Sequence, residues 1–82
     1  MAFERQDTYK KIVDIIAQEL KIEPATITES SNFQDLGADS LDMVQIIMRL
    51  EELFGIEIKD EDAQDLLNVG QVADYVNGKR TK

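Results

Sequence analysis

Residues 39–55, DSLDMVQIIMRLEELFG, have the clearest helical pattern in this 82-residue chain. Apolar residues recur at the three- and four-residue spacing of an amphipathic helix, and no proline interrupts them. Asp39 or Ser40 can cap the helix at its start, and Gly55 can adopt the left-handed conformation that ends it. The segment predicts a helix from about Ser40 to Phe54. Its broad core-facing stripe consists of Met43, Ile46, Ile47, Leu50, Leu53 and Phe54.

The same helix carries a second apolar stripe nearly opposite the first. It consists of Leu41, Val44 and Met48. One face of a helix in a small bundle meets the core, so this stripe is expected to face solvent or a partner. Small bundles also expose some leucine and methionine without purpose, and the stripe alone leaves both interpretations open. The residues that flank it are Asp42, Gln45, Arg49, Glu51 and Glu52.

A first helix is predicted upstream, from about Asp7 to Leu20, with Asp7 or Thr8 as its cap. Its apolar residues at helical spacing are Tyr9, Ile12, Val13, Ile16 and Leu20. Pro24 prevents the helix from continuing. A long connection from about Ile22 to Asp39 follows, and loops of this length are usually functional.

Downstream, the sequence predicts a short helix from about Asp60 to Leu67 and a last helix from Val69 or Gly70 to Val76. Asn77-Gly78 is typical of a helix end, and residues 79–82 are expected to form a flexible basic tail. No segment has a convincing strand pattern. The expected fold is all-α: a single domain over residues 1–82, built as a small four-helix bundle. Three helices are main elements, one is short, and a long loop joins the first two.

Composition excludes several classes of function. The chain has 9 basic and 17 acidic residues, a net charge of −8, and neither Cys nor His. Without these residues it can build neither a Ser-His-Asp or Cys-His active site nor a Cys/His zinc site. Its negative charge argues against nucleic acid and anionic membranes and favours basic partners. With no apolar signal-like segment at the N-terminus, the expected location is the cytoplasm.

Residues 35–42, DLGADSLD, resemble the attachment motif of acyl carrier proteins. Residues 51–58 and 74–76 are similar to other parts of that family, so the resemblance covers most of the chain. It implies a non-enzymatic carrier, most similar to the free-standing carriers of type II fatty acid synthesis. Such a carrier shuttles acyl groups as thioesters on a covalent 4′-phosphopantetheine arm. By the motif, Ser40 is the attachment residue.

The chemistry of Ser40 agrees with this implication. A helix start favours the phosphodiester anion, although Asp35, Asp39 and Asp42 oppose it. With no His to deprotonate it, the Ser40 hydroxyl is a poor nucleophile, so another enzyme must modify it. The family implies a phosphopantetheinyl transferase that uses coenzyme A. The alternative is that Ser40 only caps the helix. Asp39 could be the cap itself or could assist recognition by the transferase.

The resemblance also implies a docking face and an acyl pocket. Fatty acid synthesis enzymes and acyltransferases with basic surfaces are expected to dock on Leu41, Asp42, Val44, Gln45, Met48, Glu51 and Glu52. The acyl chain is expected to lie among Phe33, Ile47, Leu50, Ile58, Leu66, Val72 and Tyr75. Gln45, Arg49 and Lys59 depart from the commonest pattern. They leave open a specialised carrier for a polyketide, peptide or other pathway. A monomer is expected, because a shuttle must expose its docking face.

Two other functions are compatible with an acidic helical chain. A calcium loop starting at Asp60 fails the EF-hand pattern, because Asp65 stands where Gly is required and Gln71 where Glu is required. No specific metal site is therefore predicted, although the clustered carboxylates could bind divalent ions loosely. The other possibility is a helical adaptor whose second apolar stripe binds a partner helix. An adaptor would keep its function after Ser40→Ala, whereas a carrier would lose it.

Overall fold

The computed structural model describes residues 4–80 of the chain. Over this range the fold is all-α, as the sequence predicts. The four helices are α1 (Arg5–Leu20), α2 (Ser40–Phe54), α3 (Asp60–Ala63) and α4 (Val69–Arg80), and a 3₁₀ turn lies at Pro24–Thr26. Residues 4–80 form no β-strand beyond an isolated antiparallel bridge between Asn32 and Asn68.

The core lies where α1 packs against both α4 and α2. Its most deeply buried large apolar side chains come from all three helices: Ile12, Ile16, Ile46, Leu50, Val69 and Val76. The helical spacing of apolar residues in α1 and α2 predicts most of these positions. The long loop contributes Ile27 and Phe33 to the same core, so it lies across the bundle rather than away from it.

The α1 helix begins at Arg5, earlier than predicted, and neither Asp7 nor Thr8 is its cap. The N-cap position belongs to Glu4, whose side chain makes no capping hydrogen bond. Thr8 is fully buried. Its hydroxyl donates to Asn77 Oδ1 at 2.8 Å and accepts from Arg80 at 2.8 Å. Threonine is a common helix cap, but here Thr8 joins α1 to α4. The local sequence does not reveal this contact.

The last two helices differ in length from the prediction. The α3 helix ends at Ala63 rather than near Leu67, and its C-cap is Gln64. The α4 helix continues through Asn77-Gly78 to Arg80. The hydrogen bonds of Asn77 and Arg80 to Thr8 hold this last turn in place. Lys79 and Arg80 are therefore part of the helix, and residues 81 and 82 of the predicted basic tail lie outside the described residues.

A second polar cluster ties the start of α1 to the loop and to α4. The Arg5 guanidinium pairs with Glu29 at 2.6 Å and with Asp74. It also donates to the Gly70 carbonyl at 3.3 Å. The hydrogen bond from Arg5 holds the pKa of Glu29 below its usual value. These contacts fix the loop against the start of α4.

Short backbone pairings hold the loop beside the residues that precede and begin α4. The Phe33 amide donates to Leu67, the Val69 amide to Ser31, and the Gly70 amide to Glu29 at 2.9 Å. In the part of the chain that the structure describes, no helix is long and apolar enough to cross a membrane.

Candidate functional site

The start of α2 is fixed by two aspartates that cap each other. An Asp39 carboxylate oxygen accepts the Asp42 amide at 2.8 Å, and an Asp42 carboxylate oxygen accepts the Asp39 amide at 3.3 Å. This reciprocal capping box satisfies two amides at the helix start that would otherwise lack partners. Asp39 is therefore the cap that the sequence left open. Asp42 was expected on the docking face. Its amide and its carboxylate both take part in this capping box, so Asp42 also stabilises the start of α2.

Ser40 is the first residue of α2, and it is exposed. Its neighbour Asp39 supplies the side-chain cap, so Ser40 is not the capping residue. Gly37, with a positive φ of 87°, makes the turn that leads into the helix. The Ser40 hydroxyl is thus held at the start of a capped helix and is exposed to solvent.

A cavity of about 900 Å³ opens directly beside Ser40. Loop residues form one wall, α2 forms the second, and the segment around α3 forms the third. Of the seven residues predicted to line an acyl pocket, four line this cavity: Phe33, Ile47, Ile58 and Leu66. The cavity is therefore at the α2–α3 side of the bundle rather than along its central axis.

The other three predicted pocket residues lie elsewhere. Leu50 and Val72 are buried in the core but do not line the cavity. Tyr75 also lies outside it, and its hydroxyl donates to Asp62 at 2.7 Å. Burial, followed by this hydrogen bond, raises the pKa of Tyr75 to about 12. Tyr75 thus ties α4 to α3, behind the cavity.

Sequence reasoning missed several residues of the cavity wall. They include Ala38, Ser40 itself, Met43, Val44, Met48, Ala63 and Leu67. The helical wheel contains a partial signal, because Met43 lies at the edge of the core stripe and Val44 and Met48 in the second stripe. The stripes meet α3 at a point that the sequence does not reveal. The α3 helix has only four residues, and its sequence alone does not locate it.

The second apolar stripe of α2 is exposed, as predicted. The exposed fractions are 66% for Leu41, 51% for Val44 and 50% for Met48. Val44 and Met48 also border the cavity, so the stripe leads from solvent to the cavity mouth. By contrast, Leu53 of the predicted core stripe is 54% exposed. That prediction was wrong, since the wheel gives the direction of a side chain but not whether another helix covers it.

The polar residues near the stripe divide into outward and inward groups. Gln45 and Glu52 are exposed. Glu51 instead turns towards the next loop, and its carboxylate accepts the Ile58 amide at 2.8 Å. Arg49 also turns inward, donating to Glu19 at 3.1 Å and to Gln18 at 2.8 Å on α1. Arg49 therefore joins α2 to α1 and does not neutralise the acidic side of the stripe.

The segment around α3 is rich in carboxylates, which are possible metal ligands. Within residues 4–80, no three or more carboxylates come together in a way that could hold a metal ion. One of its carboxylates, Asp62, already accepts the Tyr75 hydroxyl. Ser40 and the cavity beside it are therefore the features that a function must explain.

Comparisons with known proteins agree on one family. The family described as "Phosphopantetheine attachment site" matches residues 10–76. The acyl carrier protein of Helicobacter pylori strain G27 is 45% identical over 73 residues, covering 88% of this chain and 94% of that protein. The protein of strain ATCC 700392 / 26695 is 44% identical over the same shares. A solved structure of the acyl carrier protein from Enterococcus faecalis superposes with a TM-score of 0.78 at 35% identity, covering 93% of this chain and 98% of that one.

The fold and the family match define a small helical carrier, with an exposed serine at the start of α2 beside a cavity. The chain belongs to the acyl carrier protein family. It is a carrier rather than a catalyst, and the cofactor of its family is a covalently attached 4′-phosphopantetheine. Interaction with fatty acid synthesis enzymes follows from the same membership, because fatty acid synthesis is the usual role of such proteins.

Proposed function

We propose that Ser40 is the residue that carries 4′-phosphopantetheine and that the chain serves cytoplasmic fatty acid synthesis. The single observation that supports this most strongly is the position of Ser40: an exposed primary hydroxyl, next to the cap rather than acting as the cap, at the mouth of the cavity. When attached, the arm supplies a terminal thiol that holds acyl groups as thioesters.

The surroundings of Ser40 fit a phosphodiester. The first turn of α2 has amides that the helix itself does not satisfy, and these favour a nearby anion. Asp39 and Asp42 are negative, but each gives one carboxylate oxygen to a backbone amide. They would not hold a free phosphate, which is consistent with covalent attachment by a phosphopantetheinyl transferase using coenzyme A.

The attachment is tested by intact mass after incubation with coenzyme A and a broad-specificity transferase. The wild-type chain should gain one phosphopantetheine group, and Ser40→Ala should gain none. Ser30→Ala, an exposed serine of the loop, is the matched control and should be modified like the wild type. If folded Ser40→Ala is still modified, or if the wild type is not modified by a cognate transferase of demonstrated activity, the assignment fails.

We propose that the cavity beside Ser40 receives the acyl chain. It is lined mainly by apolar side chains and is directly adjacent to the attachment residue. Loading with an octanoyl group, compared with an acetyl group, should shift the methyl resonances of Ile47, Ile58 and Leu66. Those of Leu50 and Val72 should move less, since these residues do not line the cavity. Larger shifts at Leu50 and Val72 would place the chain in the bundle centre instead.

The docking face is proposed to be the exposed stripe of Leu41, Val44 and Met48 with Gln45 and Glu52 beside it. Its partners are fatty acid synthesis enzymes and acyltransferases that present basic surfaces with an apolar floor. The Arg49 side chain is bound to α1. Gln45 is therefore the one residue of this face that differs from the commonest pattern of the family. This favours general fatty acid synthesis over a specialised pathway, and a monomer that keeps the face free.

The choice of pathway is tested with the unmodified surface. Fatty acid synthesis enzymes should turn over the acylated wild-type chain efficiently, and Gln45→Glu should improve this about twofold at most, as expected for one exposed charge. Arg49→Ala is unsuitable as a probe of docking because it breaks contacts to α1. Poor turnover of the wild type, restored strongly by Gln45→Glu, would favour a specialised carrier.

A further inference from the structure

A second depression, of about 300 Å³, lies at the opposite end of α2 from Ser40. Its floor contains three apolar side chains from the end of α2 and the residues that follow it, Leu53, Phe54 and Ile56, beside Gly55, while the larger part of its exposed lining is polar. Three cations border it, Lys11 from α1 and Lys79 and Arg80 from α4. We call these seven residues the basic pole. No function described above uses it.

The apolar floor is partly open and partly fixed. Leu53 is 54% exposed although it is a large apolar side chain. Phe54 lies beneath the Arg80 guanidinium, whose centre is 4.7 Å from the ring centroid. Arg80 is itself only 9% exposed, and it contacts Thr8 at 2.8 Å and Asp7 at 3.6 Å. The wall formed by Phe54 and Arg80 is therefore already fixed in the free protein.

The charge of the basic pole is opposite to that of the molecule. The chain has a net charge of −8, yet among residues 4–80 no carboxylate lines this depression, and the nearest one identified by its ion pairs is Asp7, which contacts Lys11 and Arg80. Among the residues that the structure describes, the two lysines make surface contacts: Lys11 with Asp7 at 3.3 Å, and Lys79 with the Tyr75 ring at 5.3 Å. Such contacts are weak, and long lysine side chains can exchange them for a ligand at small cost.

We propose that the basic pole is a docking site for an acidic segment of a partner protein that places one large apolar side chain between carboxylates. A volume of about 300 Å³ suits one such side chain, which would lie on Leu53 and Phe54 while its flanking carboxylates meet the lysines. A broad anionic membrane fits less well, because the rest of this acidic chain would be repelled by it.

The basic pole lies at the other end of α2 from Ser40, so a partner bound there would not block the Ser40 end. The 15-residue α2 helix separates it from Ser40 by about 22 Å, at about 1.5 Å per residue. An acidic partner at this end and a basic enzyme at the Ser40 end can therefore bind at the same time. The proposal goes beyond acyl carriage and does not depend on the identity of the attachment residue.

The test is a titration of the isotope-labelled chain with the blocked peptide EEFEE at low salt, followed by amide resonances. Saturable shifts are expected at Gly55, Ile56 and Lys79, with a dissociation constant on the order of 1 mM. The peptide EESEE should bind more weakly because it lacks the apolar side chain. KKFKK should instead shift resonances of the acidic α2 and α3 residues.

Matched variants separate the site from general charge. The double variant Lys11→Gln with Lys79→Gln should bind EEFEE about fivefold more weakly, since it loses two charge contacts. Lys10→Gln with Lys59→Gln has the same net charge, removes two exposed cations outside the depression, and should change the affinity less than twofold. Thermal melting confirms that both remain folded.

Three results would overturn the proposal. They are the absence of saturable shifts at the basic pole, equal loss of affinity in the two double variants, and shifts produced by phosphatidylglycerol vesicles but not by EEFEE. The last result would assign the depression to a lipid surface instead of a protein segment.

Discussion

The two sides of this bundle are built differently. On the α1–α4 side, polar and charged groups are paired: Thr8 with Asn77 and Arg80, and Arg5 with Glu29 and Asp74. On the α2–α3 side, a cavity of about 900 Å³ lies beside Ser40, and apolar side chains face solvent. We infer that the α1–α4 side holds the fold together, which allows the other side to remain open.

The largest expected contrast comes from truncating one apolar side chain on each side. Ile16→Ala should lower the free energy of unfolding by about 2–5 kcal/mol, because Ile16 is fully buried in the core. Met48→Ala should change it by less than about 0.5 kcal/mol, since Met48 is half exposed at the cavity mouth. Denaturant unfolding of both variants measures the difference, and equal losses would refute the division of roles.

Removing the Thr8 hydroxyl tests the polar link between α1 and α4. Thr8→Val should cost about 1–3 kcal/mol, because Asn77 and Arg80 lose their shared buried partner. The control is Thr26→Val, which removes an exposed hydroxyl that donates to the Glu23 carbonyl at 2.7 Å. It should cost less than about 0.5 kcal/mol. A stable Thr8→Val would mean that the link is not important for stability.

Alanine substitutions at two glycines of α4 should change the stability by smaller amounts and in opposite directions. A Cβ atom at Gly70 would lie 3.0 Å from the Glu29 carbonyl oxygen, so Gly70→Ala should destabilise by about 1 kcal/mol. At Gly78 a Cβ meets nothing within 4 Å, and Gly78→Ala should stabilise by about 0.5–1 kcal/mol. Thermal melting distinguishes the two. A stabilising Gly70→Ala would show that the loop is not closely packed on α4.

The smallest effect on stability at neutral pH is expected for a substitution of Tyr75, whose hydroxyl links α4 to α3. Its pKa is raised from 10 to about 12, so the folded state favours the protonated phenol. This stabilisation is fully present below pH 10 and is lost as the pH rises from 10 to about 12. Tyr75→Phe should therefore remove part of the fall in stability over that interval.

The chain has two tyrosines and no tryptophan, which makes the titration direct. In Tyr9→Phe the phenolate absorbance reports Tyr75 alone, and its midpoint should lie near 12. A midpoint near 10 would show that the Tyr75 phenol is neither buried nor bonded to Asp62 in solution as it is in the structure.

Much of this fold could be predicted from the sequence because α1 and α2 have clear apolar periodicity. The end at Gly55 follows from local backbone chemistry, whereas the sequence leaves the cap open between Asp39 and Ser40, and the structure has Asp39 there. The start of α1 and the end of α4 could not be predicted in this way. The last turn of α4 is held by the contact among Thr8, Asn77 and Arg80, residues about seventy positions apart in the chain. The start of α1 is tied to distant segments through Arg5, which pairs with Glu29 and Asp74.

The candidate site shows the same limit. The position of Ser40 and the exposure of Leu41, Val44 and Met48 follow from the α2 sequence alone. The inward turn of Arg49 and Glu51 does not, since each depends on a neighbour supplied by another segment. Leu50 and Val72 were expected in the pocket because they are apolar and central, but a cavity forms where packing is incomplete, and periodicity does not reveal that.

The buried position of Arg80 has a consequence for handling this molecule. Because its guanidinium is held by Thr8, Asp7 and the Phe54 ring, a carboxypeptidase should trim the folded chain no further than this arginine. Digestion past it then reports unfolding, without a label or a dye. For the same reason, a fusion partner joined closely after residue 80 would disturb the bundle more than its distance from Ser40 suggests.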